Sequence, residues 1–382
     1  MSAPGEAPGR FFFSRRAPGA LVDSDRPATY AETMTHSTIA AAEVPRSEIQ
    51  TIFSDRVGRT PMLDQFVYRT PSRYTAPEIH FSEAQPLLVT GDKFTIVAER
   101  SGLVPGSTYL FNEYEWRGLF EPARTILPMP EGPVLVAGNA AWRNYSHWLF
   151  QCLSPLLLAD RVGLEKPHAI VPPLNGIKRD LLLHAGWSPD RYTELPAGTA
   201  ALPRQGIYSN LTGGDFPYFP HPAIVEPFEA LAAPVPRSSF AGQRVFLSRT
   251  DARKRIMTNE AELVACLERE GYAIAVPGAL SAAEQMALFR DAALVVGQHG
   301  AGFTNLLFAR RGDDGPIVVE LHQENYPGPA FAKLCQVKRL RYTAIFSRVI
   351  DAGPDGRHDS IWEADIPLIL ETLAGLVPTR RR

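Results

Sequence analysis

A glycine-rich turn in the last third of the chain is the clearest candidate for chemistry. In the stretch ALVVGQHGAGFTNLLFA, the residues His299, Gly300, Ala301 and Gly302 stand between an apolar run and a predicted helix. Such a turn leaves backbone N–H groups unpaired at the helix N-terminus, where the helix dipole also favours an anion. Glycine lets a bulky ligand approach the backbone. The turn therefore predicts an anion site, typically for phosphate, although its glycines could serve only the geometry of a tight turn.

A basic cluster follows an earlier strand of the same half. Arg249 comes directly after the run RVFLS, Lys254 and Arg255 follow within six residues, and Glu320 ends the later run PIVVEL. Guanidinium groups at the carboxyl edge of a sheet could hold a diphosphate through charge-assisted hydrogen bonds. A carboxylate at that edge could accept both hydroxyls of a ribose. The structural alternatives are a solvated basic loop and an ion pair between Glu320 and an arginine.

A second group lies upstream, in the run NYSHWLFQ over residues 144–151. His147 and Trp148 open a predicted helix that follows the strand VLVAG. An imidazole titrates near neutrality and could take a proton from a sugar hydroxyl, and an indole could stack on a sugar ring. His147 could equally be a capping or packing imidazole, and Trp148 could simply anchor core packing.

Alternating strands and helices must position these residues. Strands are predicted at 244–248, 272–276, 293–297, 316–321 and 340–345, with helices between them and a last helix over 363–376. Asn259 and Glu262 occupy the N-cap and N3 positions of one helix, and Ser281 and Glu284 form the capping box of the next. The strands are continuous apolar runs, which is typical of a parallel sheet covered on both faces. The sequence therefore predicts an α/β fold.

Chain length predicts two domains, since 382 residues exceed a single ordinary core. We expect a flexible tail over 1–60, a first α/β domain over 61–225, a second Rossmann-like domain over 240–350, and a C-terminal helix with a basic tail over 351–382. The Pro-, Phe- and Gly-rich stretch 213–240 is predicted to be the linker. Short strands and turns are expected between about 75 and 125.

Composition excludes several classes of protein. The net charge of -2 gives no reason to expect nucleic acid as a partner. The three cysteines (Cys152, Cys266 and Cys335) are widely spaced in apolar settings and are predicted to be buried free thiols rather than a zinc site. No signal peptide and no apolar run of about 18 residues is seen, so we expect a cytoplasmic protein without an integral membrane segment.

Familiar cofactor motifs are missing from the sequence. No GxGxxG follows the first strand of either half, no GxxxxGK[ST] is present, and no GxSxG elbow follows the HGAG turn. The DxD at Asp23–Asp25 lies in the predicted tail and not after a strand. We therefore expect neither a bound cofactor nor a metal ion that bridges a diphosphate.

The motifs together resemble glycosyltransferase family 61. The resemblance is carried by SRTDARKRIMTNEAEL, SAAEQMALFRDAALVVGQHGAGFTNLLFA and VVEL, with NYSHWLFQCLSPLLL upstream, and covers about 134–345. It implies a GT-B fold, in which two Rossmann-like domains face each other across a cleft. It also implies inverting, metal-independent transfer of a sugar from a nucleotide diphosphate, usually UDP, to a hydroxyl acceptor. The sequence shows no membrane anchor and in this respect resembles the bacterial members, which are linked to capsular and other surface polysaccharides.

The resemblance also implies a role for each candidate residue. Donor binding would fall to Arg249, Lys254, Arg255, His299, Gly300, Ala301, Gly302, Asn305 and Glu320, with Glu320 on the ribose. His147 would be the base that deprotonates the acceptor, and Trp148 would lie on the acceptor side. Two other classes stay open: a non-catalytic module that binds nucleotide sugars or glycans, and an α/β oxidoreductase.

Overall fold

The computed structural model describes most of the chain as a mixed α/β protein. The described residues are 34–47, 49–57, 63–64, 66, 70, 73–84, 87–91, 94–98, 102–103, 125–213, 218–356 and 358–376. Residues 104–124, which belong to the stretch where short strands and turns are expected, and the basic residues at the end of the chain lie outside them.

The first half of the chain is mostly strands. They are β1 (Met34–Ile39), β2 (Ala42–Val44), β3 (Ile49–Phe53), β4 (Tyr74–Ala76), β5 (Ile79–Ala84), β6 (Leu87–Thr90), β7 (Thr95–Ala98), β8 (Gly102–Leu103), β9 (Thr125–Leu127), β10 (Pro133–Val136), β11 (His168–Val171), β12 (Tyr192–Glu194), β13 (Thr199–Ala201) and β14 (Gln205–Ser209). One sheet has the order β1-β5-β14-β10-β11-β12, and its strands β14, β10, β11 and β12 are parallel. A smaller sheet has the order β8-β7-β6-β13-β9.

The second half forms a parallel sheet, as predicted. The strands of this half are β15 (Arg244–Leu247), β16 (Ile256–Met257), β17 (Ala273–Ala275), β18 (Leu294–Gln298), β19 (Ile317–Gln323), β20 (Tyr342–Ser347), β21 (Val349–Asp351) and β22 (Ile361–Trp362). The parallel sheet has the order β17-β15-β18-β19-β20-β3, and every neighbouring pair in it is parallel. Strands β16, β22 and β21 form a separate small sheet. Strands β18, β19 and β20 are buried along their whole length. Helices therefore cover both faces, which confirms the α/β class.

The helices lie between and around the sheets. They are α1 (Tyr145–His147), α2 (Ser154–Leu158), α3 (Gly176–His184), α4 (Pro222–Ala232), α5 (Glu260–Arg269), α6 (Ala282–Asp291), α7 (Ala330–Lys338) and α8 (Ile366–Leu376). A π-helical stretch, Trp148–Leu153, joins α1 to α2, and the Ser154 N–H donates to the Leu149 carbonyl. Pro155 follows at once and has no N–H to continue the regular ladder, so the helix changes type at this point.

The expected flexible tail needs correction. Residues 34–53 form three strands, and β3 pairs in parallel with β20 at the edge of the second sheet. Phe53 stacks on Phe346 with ring centroids 5.2 Å apart. The pairing satisfies the backbone groups of β20 that would otherwise be an open sheet edge. The residues of β3 show no local strand pattern. The strand forms because it pairs with β20, which lies almost 300 residues away in the chain.

The expected linker also contains structure. Helix α4 lies inside the stretch 213–240, begins at Pro222 with His221 as its cap, and tolerates Pro227. Phe228 on α4 meets Phe308 edge to face, with centroids 5.4 Å apart. One cluster of buried apolar side chains contains residues of both halves, including Phe228 and Phe308. The proposed domain boundaries and the GT-B arrangement of the two halves stay predictions.

Two local predictions at helix ends fare differently. Ser281 and Glu284 form the predicted capping box of α6. Asn259 is the N-cap of α5 by position but makes no capping bond, because its side chain bonds the backbone of Ala364 instead. The predicted helix after the HGAG turn is a 3₁₀ helix, Ala301–Phe308, and its last six residues are all buried.

Two further sequence predictions concern membrane segments and cysteines. Among the described residues, no helix is both long and apolar enough to cross a membrane. All three cysteines are free; Cys152 and Cys335 are buried, as predicted, and Cys266 is partly exposed.

Candidate active site

The anion end of the site lies at the carboxyl edge of β15 and β18. Leu247 and Gly297 are register neighbours on these strands, so the chain segments that follow them lie side by side. The Arg249 guanidinium donates from Nη1 to the His299 carbonyl at 2.8 Å. A Cβ added at Gly300 would lie 3.1 Å from Cζ of Arg249, so a side chain there would displace the guanidinium. Glycine at this position thus permits the arginine to lie against the turn.

Arg249 and Arg255 form a pair of like charges in a partly buried setting. Burial, followed by the charge of Arg255, lowers the pKa of Arg249 to about 10. Burial also lowers the pKa of Arg255, whose Cζ lies 4.8 Å from the centre of the Tyr326 ring. Both arginines line a small pocket beside His299. Burial and the neighbouring Arg255 both disfavour the charge of Arg249, so an anion that binds beside this guanidinium would stabilise it.

Glu260 holds the Arg249 segment in place. One carboxylate oxygen accepts hydrogen bonds from the Ser248 hydroxyl and from the Arg249 N–H, both at 2.8 Å. The other accepts from Nε2 of Gln298 at 2.8 Å. This buried carboxylate therefore ties the ends of β15 and β18 together. Sequence reasoning gave Glu260 no role, although an acid at the first position of a helix is a common stabilising choice.

The surroundings of Glu320 do not support the ribose-binding role that its position suggests. It is fully buried and accepts hydrogen bonds from His299 Nδ1 and from the Tyr342 hydroxyl. Nε2 of His322 lies 3.3 Å from the same carboxylate. Burial by itself raises the pKa of Glu320, but the two histidines lower it to a value well below the usual range. Glu320 is therefore a buried acceptor that orients His299.

His299 is neutral in this arrangement. Burial lowers its pKa to about 4, and the Glu320 carboxylate only partly offsets this. Its ring packs against those of His322 and Tyr326, with centroids 5.0 Å and 5.3 Å away. The His299 side chain thus points into the protein, while its backbone carbonyl binds Arg249. Its backbone is therefore better placed than its side chain for the predicted donor contact.

Among the described residues, the side chains of His299, Glu320 and His322 are best placed to hold a metal ion. Potential ligand atoms of His299, Glu320 and His322 lie within 4.8 Å of one another. Both oxygens of Glu320 already accept hydrogen bonds from neighbouring side chains. A cation would have to replace those bonds.

A cleft of about 710 Å³ opens from the anion end toward the first half of the chain. On the second-half side it is lined by Arg249, the turn Gly300–Gly302, and the loop around Pro277. On the opposite side it is lined by Tyr145 at the start of α1 and by α3 residues including Asp180. The turn also opens the 3₁₀ helix, whose first N–H groups have no partner within the helix. The cleft can accept an anion at one end and a polar ligand along the facing wall.

His147 ends α1, two residues after Tyr145, and is not among the described residues that line the cleft. Its Nδ1 is 2.8 Å from Oε1 of Gln151, whose amide nitrogen donates to the Gly213 carbonyl. That orientation makes Nδ1 the protonated nitrogen and Nε2 the basic one. Burial lowers the pKa of His147, against the effect of the Gln151 bond, so the imidazole is neutral at neutral pH. Its chemistry suits a base.

Three other candidate residues are not among the described residues that line the cleft. Trp148 is 1 % exposed within the core cluster, and this burial does not support its predicted acceptor-side role. Lys254 is exposed and pairs with Asp359 at 3.6 Å. Asn305 is fully buried and bonds Tyr145 and Gln285. These two are therefore not in position to touch a ligand in the cleft.

A larger cavity of about 830 Å³ lies elsewhere, between α4 and the end of α6. Five of the charged residues that line it form ion pairs with each other: Arg290 and Arg310 with Asp291, and Arg311 with Glu229. It contains neither the glycine-rich turn nor Arg249. Chemistry therefore favours the smaller cleft.

Comparison with known proteins finds one family whose model matches part of the chain. Residues 145–314 match the model of a family described as Glycosyltransferase 61. The matched segment runs from α1 through the HGAG turn, so it includes Tyr145, His147 and Arg249, and it is less than half of the 382-residue chain. No curated protein matches the chain. The family match supports a glycosyltransferase, which implies a sugar donor and an acceptor as substrates.

Proposed function

We propose that the protein is a glycosyltransferase of family 61 that moves a sugar from a nucleotide diphosphate donor to a hydroxyl acceptor. The observation that carries the proposal is the cleft between Arg249 with its glycine turn on one side and Tyr145 and Asp180 on the other. A transferase needs an anion site for the leaving group and a facing polar wall for the acceptor. The family match over 145–314 supports the same reaction.

The donor diphosphate lies at the carboxyl edge of β15 and β18 in this proposal. Arg249 and Arg255 neutralise its charge, and the turn Gly300–Gly302 offers backbone N–H groups to its oxygens. The lowered pKa of Arg249 supports this, since an anion would offset the effects of burial and of the Arg255 charge on that guanidinium. In the reaction, the bond between the sugar and the diphosphate breaks, and its electron pair goes to the leaving phosphate oxygen. Preorganised positive charge at that oxygen is the main catalytic contribution.

The acceptor hydroxyl loses its proton to a base of the first half. His147 is the base predicted from the sequence, and its neutral imidazole with a basic Nε2 supports that role. Asp180 is a second candidate, because it is the carboxylate that lines the cleft on the wall opposite Arg249. Single substitutions decide between them, as described in the Discussion.

The finer features of the proposal follow the resemblance. We infer a UDP-sugar as donor, inversion at the anomeric carbon without a metal ion, and a GT-B arrangement of the two halves. The acceptor is a glycan of the kind built into bacterial surface polysaccharides. A thermal-shift screen of UDP-, GDP-, CMP- and dTDP-sugars in EDTA tests donor binding, because a ligand of the native state raises the melting temperature. A melting temperature that no nucleotide sugar changes would contradict the proposal.

A further inference from the structure

A chain of hydrogen bonds joins the two walls of the cleft. The Tyr145 hydroxyl donates to Oδ1 of Asn305 at 2.7 Å, and Nδ2 of Asn305 donates to Oε1 of Gln285 at 2.7 Å. Nε2 of Gln285 then donates to the carbonyls of Pro277 at 2.7 Å and Leu280 at 3.2 Å. Asn305 is fully buried and Gln285 is 4 % exposed, so the chain is shielded from water.

Every hydrogen bond in this chain points in the same direction. Because the two backbone carbonyls can only accept, Gln285 must turn its nitrogen to them and its oxygen to Asn305. Asn305 must then present its own oxygen to Tyr145. Burial raises the pKa of Tyr145, against the effect of its bond to Asn305, so the phenol stays protonated as the donor. Flipping either amide would set donor against donor, and a buried mismatch of that kind is costly.

The series of hydrogen bonds ends at a loop that lines the cleft. Pro277, Gly278, Leu280 and Ser281 all contribute to the wall next to the anion end. With Phe303 they give this part of the cleft an apolar surface. The wall of Tyr145, Asn175 and Asp180 is polar by comparison. A flat nucleobase suits the apolar surface, and a sugar with its many hydroxyls suits the polar one.

We propose that the chain Tyr145–Asn305–Gln285 positions the Pro277–Leu280 loop to receive the nucleoside of the donor. This inference rests on the proposed function. Tyr145 is then a positioning residue of the first half that acts on donor binding in the second half. The arrangement explains why Asn305, although buried, stands three residues after the turn that we assign to the diphosphate: it holds the nucleoside end of the same ligand.

The test compares a probe that has a nucleoside with one that lacks it. Affinity for UDP is measured by calorimetry, and affinity for inorganic diphosphate by its competition with UDP. Tyr145→Phe removes only the donor hydroxyl, and Asn305→Asp keeps the acceptor for Tyr145 but loses the donor to Gln285. We expect Tyr145→Phe to weaken UDP binding roughly 3- to 10-fold and Asn305→Asp about 10-fold or more, as for lost buried hydrogen bonds. The dissociation constant of diphosphate, calculated with the UDP affinity of each variant, should stay within about twofold of that of the unaltered protein, because the contacts of diphosphate lie at the anion end.

Matched variants separate the possible outcomes. Tyr192→Phe removes a phenol hydroxyl outside the cleft and should change neither affinity, whereas Arg249→Ala should weaken both. Equal losses for the two probes in Tyr145→Phe, or no loss of UDP affinity, would overturn the positioning role. If Asn305→Asp fails to fold, Tyr145→Phe decides alone. If the unaltered chain binds neither probe, the proposed function itself fails, and the positioning role fails with it.

Discussion

Replacement of Arg249 by alanine should weaken donor binding while the fold stays intact. The guanidinium lies against Gly300, donates to the His299 carbonyl at 2.8 Å, and has its pKa lowered to about 10. The lowered pKa means that the protein disfavours this cation until an anion binds. A charge-assisted contact with a diphosphate in such a setting contributes about 2–4 kcal/mol, so UDP affinity should fall about 30- to 1000-fold.

Stability gives this prediction its control. Arg249→Ala loses one hydrogen bond to the His299 carbonyl but also removes the repulsion of Arg255, so the free energy of unfolding should change by no more than about 1 kcal/mol. Arg253→Ala, at an exposed arginine of the same loop, should leave UDP affinity unchanged. Calorimetry of UDP binding and urea unfolding are measured on the same samples. An unchanged UDP affinity in Arg249→Ala would show that the arginine is only structural.

Three further predictions concern the base, the metal and pH. His147→Ala and Asp180→Asn are compared in a transfer assay with Asp160→Asn, an exposed control of the same half. The variant that lacks the base should lose about 10²–10⁴ in kcat with UDP affinity nearly unchanged. Near-normal turnover in a variant would exclude that residue as the base. UDP affinity should be the same in EDTA and in Mg²⁺, and binding that EDTA abolishes would contradict metal independence. The free energy of unfolding should fall by roughly 2–3 kcal/mol as pH drops from about 6.5 toward 4, because burial lowers the pKa of His299 from 6.5 to about 4 and folding favours its neutral form. Urea unfolding at several pH values should show that this free energy depends less steeply on pH in His299→Asn, and an unchanged dependence would contradict the prediction.

The sequence predicts the anion end of the site because parallel strands share a carboxyl edge. Arg249 and the HGAG turn each follow an apolar run, so their meeting needed only the correct sheet class and strand order. The direction of each side chain could not be predicted in the same way. Glu320 and Asn305 stand at plausible positions, yet both point into the protein and bond other side chains. Which side of the edge a residue faces depends on packing that local patterns do not contain.

Long-range structure was the other part that the sequence could not predict. Strand β3 is recruited by β20 across almost 300 residues, and its five residues have no distinctive alternation. Local patterns do not reveal helix α4 because Pro227 lies inside it, where proline is unusual. The helix forms because Phe228 and its neighbours fill the core between the halves. Tertiary packing here outweighs local propensity.

The most direct test of the proposed activity is a transfer reaction followed by mass spectrometry. The unaltered protein is incubated with a panel of nucleotide sugars and glycan acceptors, and Arg249→Ala is incubated in parallel. We expect a glycan enlarged by one sugar, formed together with an equal amount of nucleoside diphosphate, and strongly reduced amounts of both products in the variant. Transfer that persists unchanged in Arg249→Ala, or nucleotide sugars that the unaltered chain neither binds nor consumes, would contradict the assignment of this cleft as the active site of a glycosyltransferase.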